Sequence, residues 1–256
     1  MNLTKLFSLV FILIISAANS MGQAKKLAFE SQRGFLPAFQ YNYHFPGGDM
    51  RKRFGQNSGI GVECLFKDEN NWMMGFSYQW LIGSDVLERN MFDNIVGAEG
   101  QVIDQDGLFS EIRLHERGHL GLLQVGKVFP ISKLNQNSGV VIQTGFGFLT
   151  HRIDIVASTT KVPQITGDYE KGYDRFTGGL ALQQFIGYQY LDPKKHVNMK
   201  FGLVFNQGFT HSLRDIDFDL GEKNETKRTD LLTGLQFSLM VPIYTKLASE
   251  EEFFID

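Results

Sequence analysis

The sequence predicts an all-β fold: a transmembrane antiparallel up-and-down β-barrel of about eight strands. Three observations carry this reading: an aromatic- and glycine-rich composition, repeated alternation of large apolar with small polar side chains, and the lack of any helix-length apolar run beyond the first residues. The 256 residues include 23 Phe, 8 Tyr and 27 Gly against only 6 Pro, a profile of strands and turns rather than helices. A spanning helix needs ~20 consecutive apolar residues, so strands would have to cross the bilayer.

The chain opens with Lys5 as a single positive charge, an apolar stretch over 6–15, and small residues at Ser20 and Gly22. This is the layout of a cleavable export signal over 1–22. The apolar stretch is about half of what an anchor would require. Without the signal, 24 basic side chains face 28 acidic ones and no dense basic block occurs, so a nucleic-acid partner is not expected. The single cysteine, Cys64, excludes an internal disulfide framework and cysteine-rich zinc modules.

Period-two alternation marks the strands in order. Phe39, Tyr41, Tyr43 and Phe45 oppose Gln40, Asn42 and His44; Ile60, Val62, Cys64 and Phe66 oppose Gly61 and Glu63. Over 72–82, Trp72, Met74, Phe76, Tyr78, Trp80 and Ile82 oppose Gly75, Ser77 and Gln79. Over 119–129 the leucines and valines fall on both sides. Val140, Ile142, Phe146 and Phe148 then oppose Gln143, Gly145 and Gly147, and Leu180, Leu182, Ile186, Tyr188 and Tyr190 oppose Gln183 and Gln189. Over 197–209 the apolar set is broken only by Gln207 and opposes Asn198, Lys200, Gly202, Asn206 and Gly208. Leu235, Phe237, Leu239, Val241 and Ile243 finally oppose Gly234, Gln236 and Ser238. Residues 108–129 read as one long strand with a bulge at Gly118; were 116–118 a hairpin turn instead, the strand count would change.

Connections at 68–71, 131–138 and 192–195 are short and polar, whereas those near 47–57, 83–106, 157–174 and 214–227 are long and hold much of the charge, including Arg51, Lys52 and Arg53. Both termini then lie on the short-turn side. The expected organisation is a signal over 1–22, a periplasmic segment over 23–33, the barrel over 34–245 and a periplasmic tail over 246–256.

Alternation alone fits a soluble barrel with an oily cavity equally well. The polar face decides between them, because it carries mostly Gly, Gln, Ser and Asn rather than the charges a hydrated surface needs. That face suits a lumen, and the aromatic face suits lipid. Phe66, Trp72, Tyr188 and Tyr190 fall near the short-turn ends and Tyr43, Phe45 and Trp80 near the long-loop ends, as two interfacial girdles would. Eight strands leave an interior just filled by side chains.

The stretches 41–50 (YNYHFPGGDM) and 171–190 (KGYDRFTGGLALQQFIGYQY), with the signal ending at 20–23, resemble the small outer-membrane β-barrel proteins of Bacteroidota, similar in architecture to OmpA and OmpX. The resemblance implies an outer-membrane location, with a structural, adhesion or surface-interaction role. Some members serve the type IX secretion and gliding apparatus, PorG being one kind, so an accessory role there is the alternative reading. This sequence ends its last strand near Tyr244 rather than at the C-terminus.

The expected lumen polar network comprises Gln40, Asn42, Glu63, Gln79, Gln143, Lys200, Asn206 and Gln236. Glu63 and Lys200 are its only ionised members, and they pair across the interior because an isolated buried charge is costly. The expected partners are outer-membrane lipid and an envelope or secretion-machinery protein; no cofactor, metal or catalytic residue is assigned. His115 and His119 lie about 13 Å apart on a strand, too far to share an ion. Ser110, Glu111 and His115 suggest a lipase-like site without a nucleophile motif to support it, and a narrow channel is a further alternative.

Overall fold

The computed structural model describes residues 29–88, 90–93, 95, 102–158, 162–194 and 197–245. The expected signal at 1–22, the tail at 246–256 and Lys195 lie outside them. Eight long strands alternate direction: β1 (Gly34–Gly48), β2 (Asn57–Lys67), β3 (Trp72–Gly83), β4 (Ile112–Ser132), β5 (Asn135–Ala157), β6 (Thr177–Leu191), β7 (Asn198–Ser212) and β8 (Arg228–Met240). Each pairs with its sequence neighbour, and β8 pairs with β1 to close the ring. Closure leaves no open edge along the wall, which hydrocarbon requires because it holds no water to satisfy unpaired backbone groups.

The register fixes the shape. The ladder runs from Ala38 through Glu63, Ser77, Leu122, Gly147, Ala181, Gly208 and Asp230 back to Gly48 on β1. One circuit therefore advances from position 38 to position 48, a shear of ten residues. With ordinary strand spacing, a shear of ten over eight strands tilts the strands by about 40° and gives an axial rise of about 2.5 Å per residue.

Side-chain direction follows parity around the whole ring. Phe35, Phe39, Tyr41 and Phe45 on β1, Trp72, Phe76, Tyr78 and Trp80 on β3, and Phe201, Phe205 and Phe209 on β7 face outward and are exposed; Gln40, Asn42, Glu63, Gln79, Gln143, Lys200, Asn206 and Gln236 face inward and are buried. This is a transmembrane β-barrel, with an apolar outer wall. No helix among the described residues is long and apolar enough to cross a membrane.

Pro37 and Pro242 sit at the short-turn end of the β8–β1 seam. The Pro37 carbonyl accepts from Val241 N at 2.8 Å, and beyond Pro242 the pairing resumes between Ile243–Tyr244 and Gly34–Phe35. The Pro130/Ser132 irregularity and the two-residue turn that follows it replace the longer connection expected over 131–138.

Two expectations are corrected. No bulge occurs at Gly118: Gly118 pairs with Leu81 on one side and His151 on the other within unbroken ladders. The long strand also begins at Ile112 rather than Leu108, because Phe109–Ser110 turns aside to form a short ribbon with Val102–Ile103. The mixed pattern over 119–129 arises because Leu120, Leu122 and Val128 point inward while Leu123 and Val125 face out.

β4 and β5, at 21 and 23 residues, exceed the other strands, which run to 15 at most. Their surplus rises on the long-loop side. Its inward residues Ile153 and Ile155 pack with Met50, Phe54, Met91, Phe92, Val162, Ile165 and Tyr173 from the loops, continuous with Leu81, Leu120 and Leu149 in the barrel. A second apolar cluster, including Leu36, Leu65, Met73, Val141 and Phe185, fills the short-turn half. The interior is thus layered apolar and polar, not polar throughout as its glycine and glutamine content suggests.

Candidate functional site

Parity brings polar groups inward, and the ring then sets which of them meet. In the central layer Lys200 Nζ donates to Glu63 Oε1 and Oε2 at 2.8 and 2.7 Å and to Gln143 Oε1 at 3.1 Å, while Gln143 Nε2 donates to Glu63 Oε1 at 3.0 Å. The ammonium also lies 5.1 Å from the centroid of the Phe185 ring. Both charged side chains are fully buried, so each depends on the other in place of water. Phe185 in turn needs small neighbours: a Cβ on Gly187 would meet Phe201 O at 2.2 Å and Phe185 Cζ at 2.5 Å.

Above this layer Gln124 Nε2 donates to Gln183 Oε1 at 2.7 Å, Gln183 Nε2 to Asn206 Oδ1 at 2.8 Å, and Asn206 Nδ2 to the Leu232 carbonyl at 3.3 Å. The other inward residues expected in one network are not joined to it. Gln236 Nε2 donates to Ser238 Oγ at 3.2 Å, the amide nitrogens of Gln40 and Gln79 have no hydrogen-bond partner among the described residues, and Asn42 is buried beside them.

Glu63 and Lys200 are not the only ionisable groups inside, which corrects the expectation drawn from sequence. At the long-loop end Asn57 Nδ2 donates to both oxygens of Glu116 at 3.0 and 2.9 Å, and His44 Nδ1 lies 2.9 Å from Asn57 Oδ1. Across the ring, His151 Nε2 is 2.9 Å from Asp230 Oδ2, which also accepts from Thr210, while Arg228 Nη2 reaches Asp230 Oδ1 at 3.1 Å. The Phe54 ring stands edge-on to His151 at 5.4 Å. Each missed residue keeps the parity of its strand: Glu116 that of Gln124, His151 that of Gln143, Asp230 that of Gln236. Glu116 already falls inside the strand read over 108–129, and carrying the alternation past Phe148 and back before Gly234 reaches His151 and Asp230.

The short-turn mouth is crossed by the segment before β1. Phe29 N donates to Leu134 O and Phe29 O accepts from Gln136 N, both at 2.9 Å, so this segment reaches the β4–β5 turn before entering β1 on the far side of the ring. Lys67 Nζ holds it by donating to Ser31 Oγ and Gln32 O at 2.9 Å each and to Asn137 Oδ1 at 3.0 Å; Asn137 Nδ2 donates to Glu30 O at 2.6 Å.

The opposite mouth carries a lid in which one ionic network ties all four long loops. Arg53, from the helical turn Met50–Arg53, donates to Glu88 Oε2 and to Thr177 Oγ1 at 2.8 Å each. Arg175, held in the left-handed region at φ +52°, donates to Glu88 Oε1 at 2.9 Å and in bidentate fashion to Asp219 at 2.8 and 2.6 Å, with Asp217 Oδ2 3.1 Å away. Burial opposes the charge on Arg175, but its hydrogen bonds to Asp219 and the charges of Glu88, Asp219 and Asp217 raise its pKa above the ordinary value. Burial likewise pushes Glu88 up, yet Arg53 and Arg175 together bring it below the usual carboxylate range. Of the Arg51–Lys52–Arg53 run in the first long connection, Arg53 is turned in and only 4 % exposed.

On the outer wall Trp72, Trp80, Phe45, Tyr43, Phe66, Tyr188 and Tyr190 are exposed or half-buried. Register places Phe66, Trp72, Tyr188 and Tyr190 about 20 Å below the other three along the axis. Lys127 Nζ caps the Trp72 ring at 4.9 Å from the lower level. The apolar wall has a further exception beside Gln207, which donates from Nε2 to Gln184 Oε1 at 3.0 Å. Ser110, Glu111 and His115 do not assemble: Ser110 Oγ lies against Ser158 Oγ, Glu111 against exposed Arg113, and His115 faces outward on β4 opposite Asp154.

Fold and lumen together define a membrane-spanning barrel of eight strands whose interior is filled by side chains and whose mouths are covered. No protein-family model matches the chain, and no curated protein matches it. Among solved structures it is similar to Neisserial surface protein A (11 % identity, 79 % of this chain and 94 % of that one, TM-score 0.35). It is also similar to Ail, the attachment invasion locus protein of Yersinia pestis (11 %, 81 % and 99 %, TM-score 0.36), and to the outer membrane protein OprG from Pseudomonas aeruginosa (10 %, 82 % and 97 %, TM-score 0.34).

Proposed function

We propose that the chain is a non-enzymatic outer-membrane barrel that presents an ordered loop surface to an envelope partner. The observation that carries this is the lid: Arg53, Glu88, Arg175 and the Asp217–Asp219 pair lock all four long loops over a filled lumen. A channel has no use for such closure, and a rigid wall bearing fixed loops is how scaffolds display binding residues. The lumen layers fit the same role, since their buried inward side chains tie strands together across the interior and stiffen the wall.

The proposal includes export to the outer membrane through the 1–22 signal. Its partner is an envelope protein, of which the type IX secretion and gliding machinery is the specific candidate suggested by the 41–50 and 171–190 stretches. The test is cross-linking and affinity purification from the native envelope, paired with conductance in planar bilayers. Reproducible co-purification of an envelope protein from a non-conducting barrel is expected. Sustained conductance with no protein captured would overturn the reading in favour of a channel.

A further inference from the structure

Just above the upper girdle, the outer wall holds a cleft of about 430 Å³ lined by Trp80, Arg117, His119, Arg152, Phe176 and Arg214, among others. Parity turns Trp80, Arg117, His119 and Arg152 outward, toward the surroundings of the barrel and not its lumen. The three guanidinium groups are unequally engaged. Arg214 is spent: it is bidentate to buried Asp174, with Nε 2.9 Å from Oδ1, and stacks 5.1 Å from the Phe176 centroid. Arg117 and Arg152 meet carboxylates only at 3.6 to 3.9 Å, through Asp154 and Asp174, beyond hydrogen-bond range. Neither donates to a carboxylate among the described residues, and they are 32 % and 43 % exposed.

Beneath them the wall is furrowed. Gly121 faces outward between Tyr78 and Phe148, its ladder partners, and a Cβ there would meet nothing within 4 Å. Arg117 and Arg152 thus stand above the upper girdle, and between them and the Gly121 gap lies His119, whose Nδ1 is 2.6 Å from Tyr78 Oη and whose ring stacks on Tyr78.

We propose that this cleft binds the phosphate-bearing headgroup of a bilayer lipid, with Arg117 and Arg152 as ligands and one acyl chain lying in the Gly121 furrow. Guanidinium donors match phosphate oxygens in geometry and charge; Asp154, Asp174 and Glu170 balance the three arginines in number, so the site rests on the unfilled donors of Arg117 and Arg152 and not on an excess of positive charge. The inference rests on the barrel spanning a membrane, and the test separates the two.

The sequence has two tryptophans, so Trp72→Phe leaves Trp80, in the cleft, as the sole reporter. The barrel is reconstituted in phosphatidylcholine vesicles containing a minor fraction of brominated phosphatidic acid or, separately, brominated phosphatidylcholine, and quenching of Trp80 is compared. The expected preference for phosphatidic acid is about fivefold for each of the two arginines, the value of one cation near a lipid surface. It should collapse in R117Q/R152Q and persist in K223Q/K227Q, which removes two charges elsewhere on the rim. R117K/R152K, which keeps charge but loses the fork, should fall between. Equal quenching by both lipids in the parent protein overturns the site while leaving the barrel intact; loss of the preference in millimolar inorganic phosphate at constant ionic strength shows a free-anion site and overturns the lipid assignment. No quenching by either lipid means that Trp80 does not face lipid, and the membrane reading itself fails.

Discussion

Lys200→Met tests the central lumen layer most directly. The wild-type ammonium has three acceptors within 3.1 Å and the Glu63 carboxylate has two donors, Lys200 and Gln143. Removing Lys200 leaves a fully buried carboxylate with Gln143 alone, and breaking one side of a buried pair costs about 3–5 kcal/mol. Glu63→Gln strands the Lys200 ammonium in the same way and should also cost about 3–5 kcal/mol, toward the lower end because the amide oxygen still accepts from Lys200. In the double variant no charge remains to be stranded, and stability should return to within about 1–2 kcal/mol of wild type. Urea unfolding in phospholipid vesicles, followed by tryptophan fluorescence, completes the double-mutant cycle. A Lys200→Met loss under about 1 kcal/mol, or losses that simply add, would show that the pair is hydrated and the lumen open.

Further outcomes are expected along the axis. Gly187→Val should block insertion, because its side chain would strike the Phe201 carbonyl and the Phe185 ring; persistence of the folded, heat-modifiable gel band would contradict this. Arg175→Ala should free the lid by removing the contacts to Glu88, Asp217 and Asp219, read as new protease cleavage in residues 213–227 with the barrel core still protected. Acidification should act at the same place. Since the folded lid holds Glu88 below the usual carboxylate range, its contribution is complete above the unfolded-chain value and lost as pH falls through the lower folded value. Asp217, pushed up by burial, works in the opposite sense and gains from protonation, so cleavage that rises on acidification in wild type but not in Glu88→Gln would isolate Glu88. Lys67→Met should release the segment across the short-turn mouth, and unchanged hydrogen exchange at the Phe29 and Gln136 amides would refute its anchoring role.

Much of this was legible in the sequence because a strand's period is two and lipid and lumen demand different chemistry. Reading which side chains of 72–82 or 197–209 faced the same way needed no partner strand. Strand ends were less legible. His151 and Asp230 lie just beyond the points where apolar alternation stops, Glu116 falls within the 108–129 strand beside the bulge expected at Gly118, and the ladder passes straight through that glycine. The mixed leucines of 120–123 were likewise ambiguous until an apolar layer inside the barrel accounted for Leu120 and Leu122.

By itself the sequence determined the two-faced wall, the up-and-down order and the sides on which short and long connections fall, since these follow from parity and turn chemistry within neighbouring residues. Only the closed ring decided the rest. A shear of ten brings Lys200 to Glu63, which is 137 positions away, places Arg117 beside Arg152, and leads Arg53 and Arg175 to a shared carboxylate. Those meetings depend on cumulative strand offsets around a circuit, a quantity no local stretch of sequence contains.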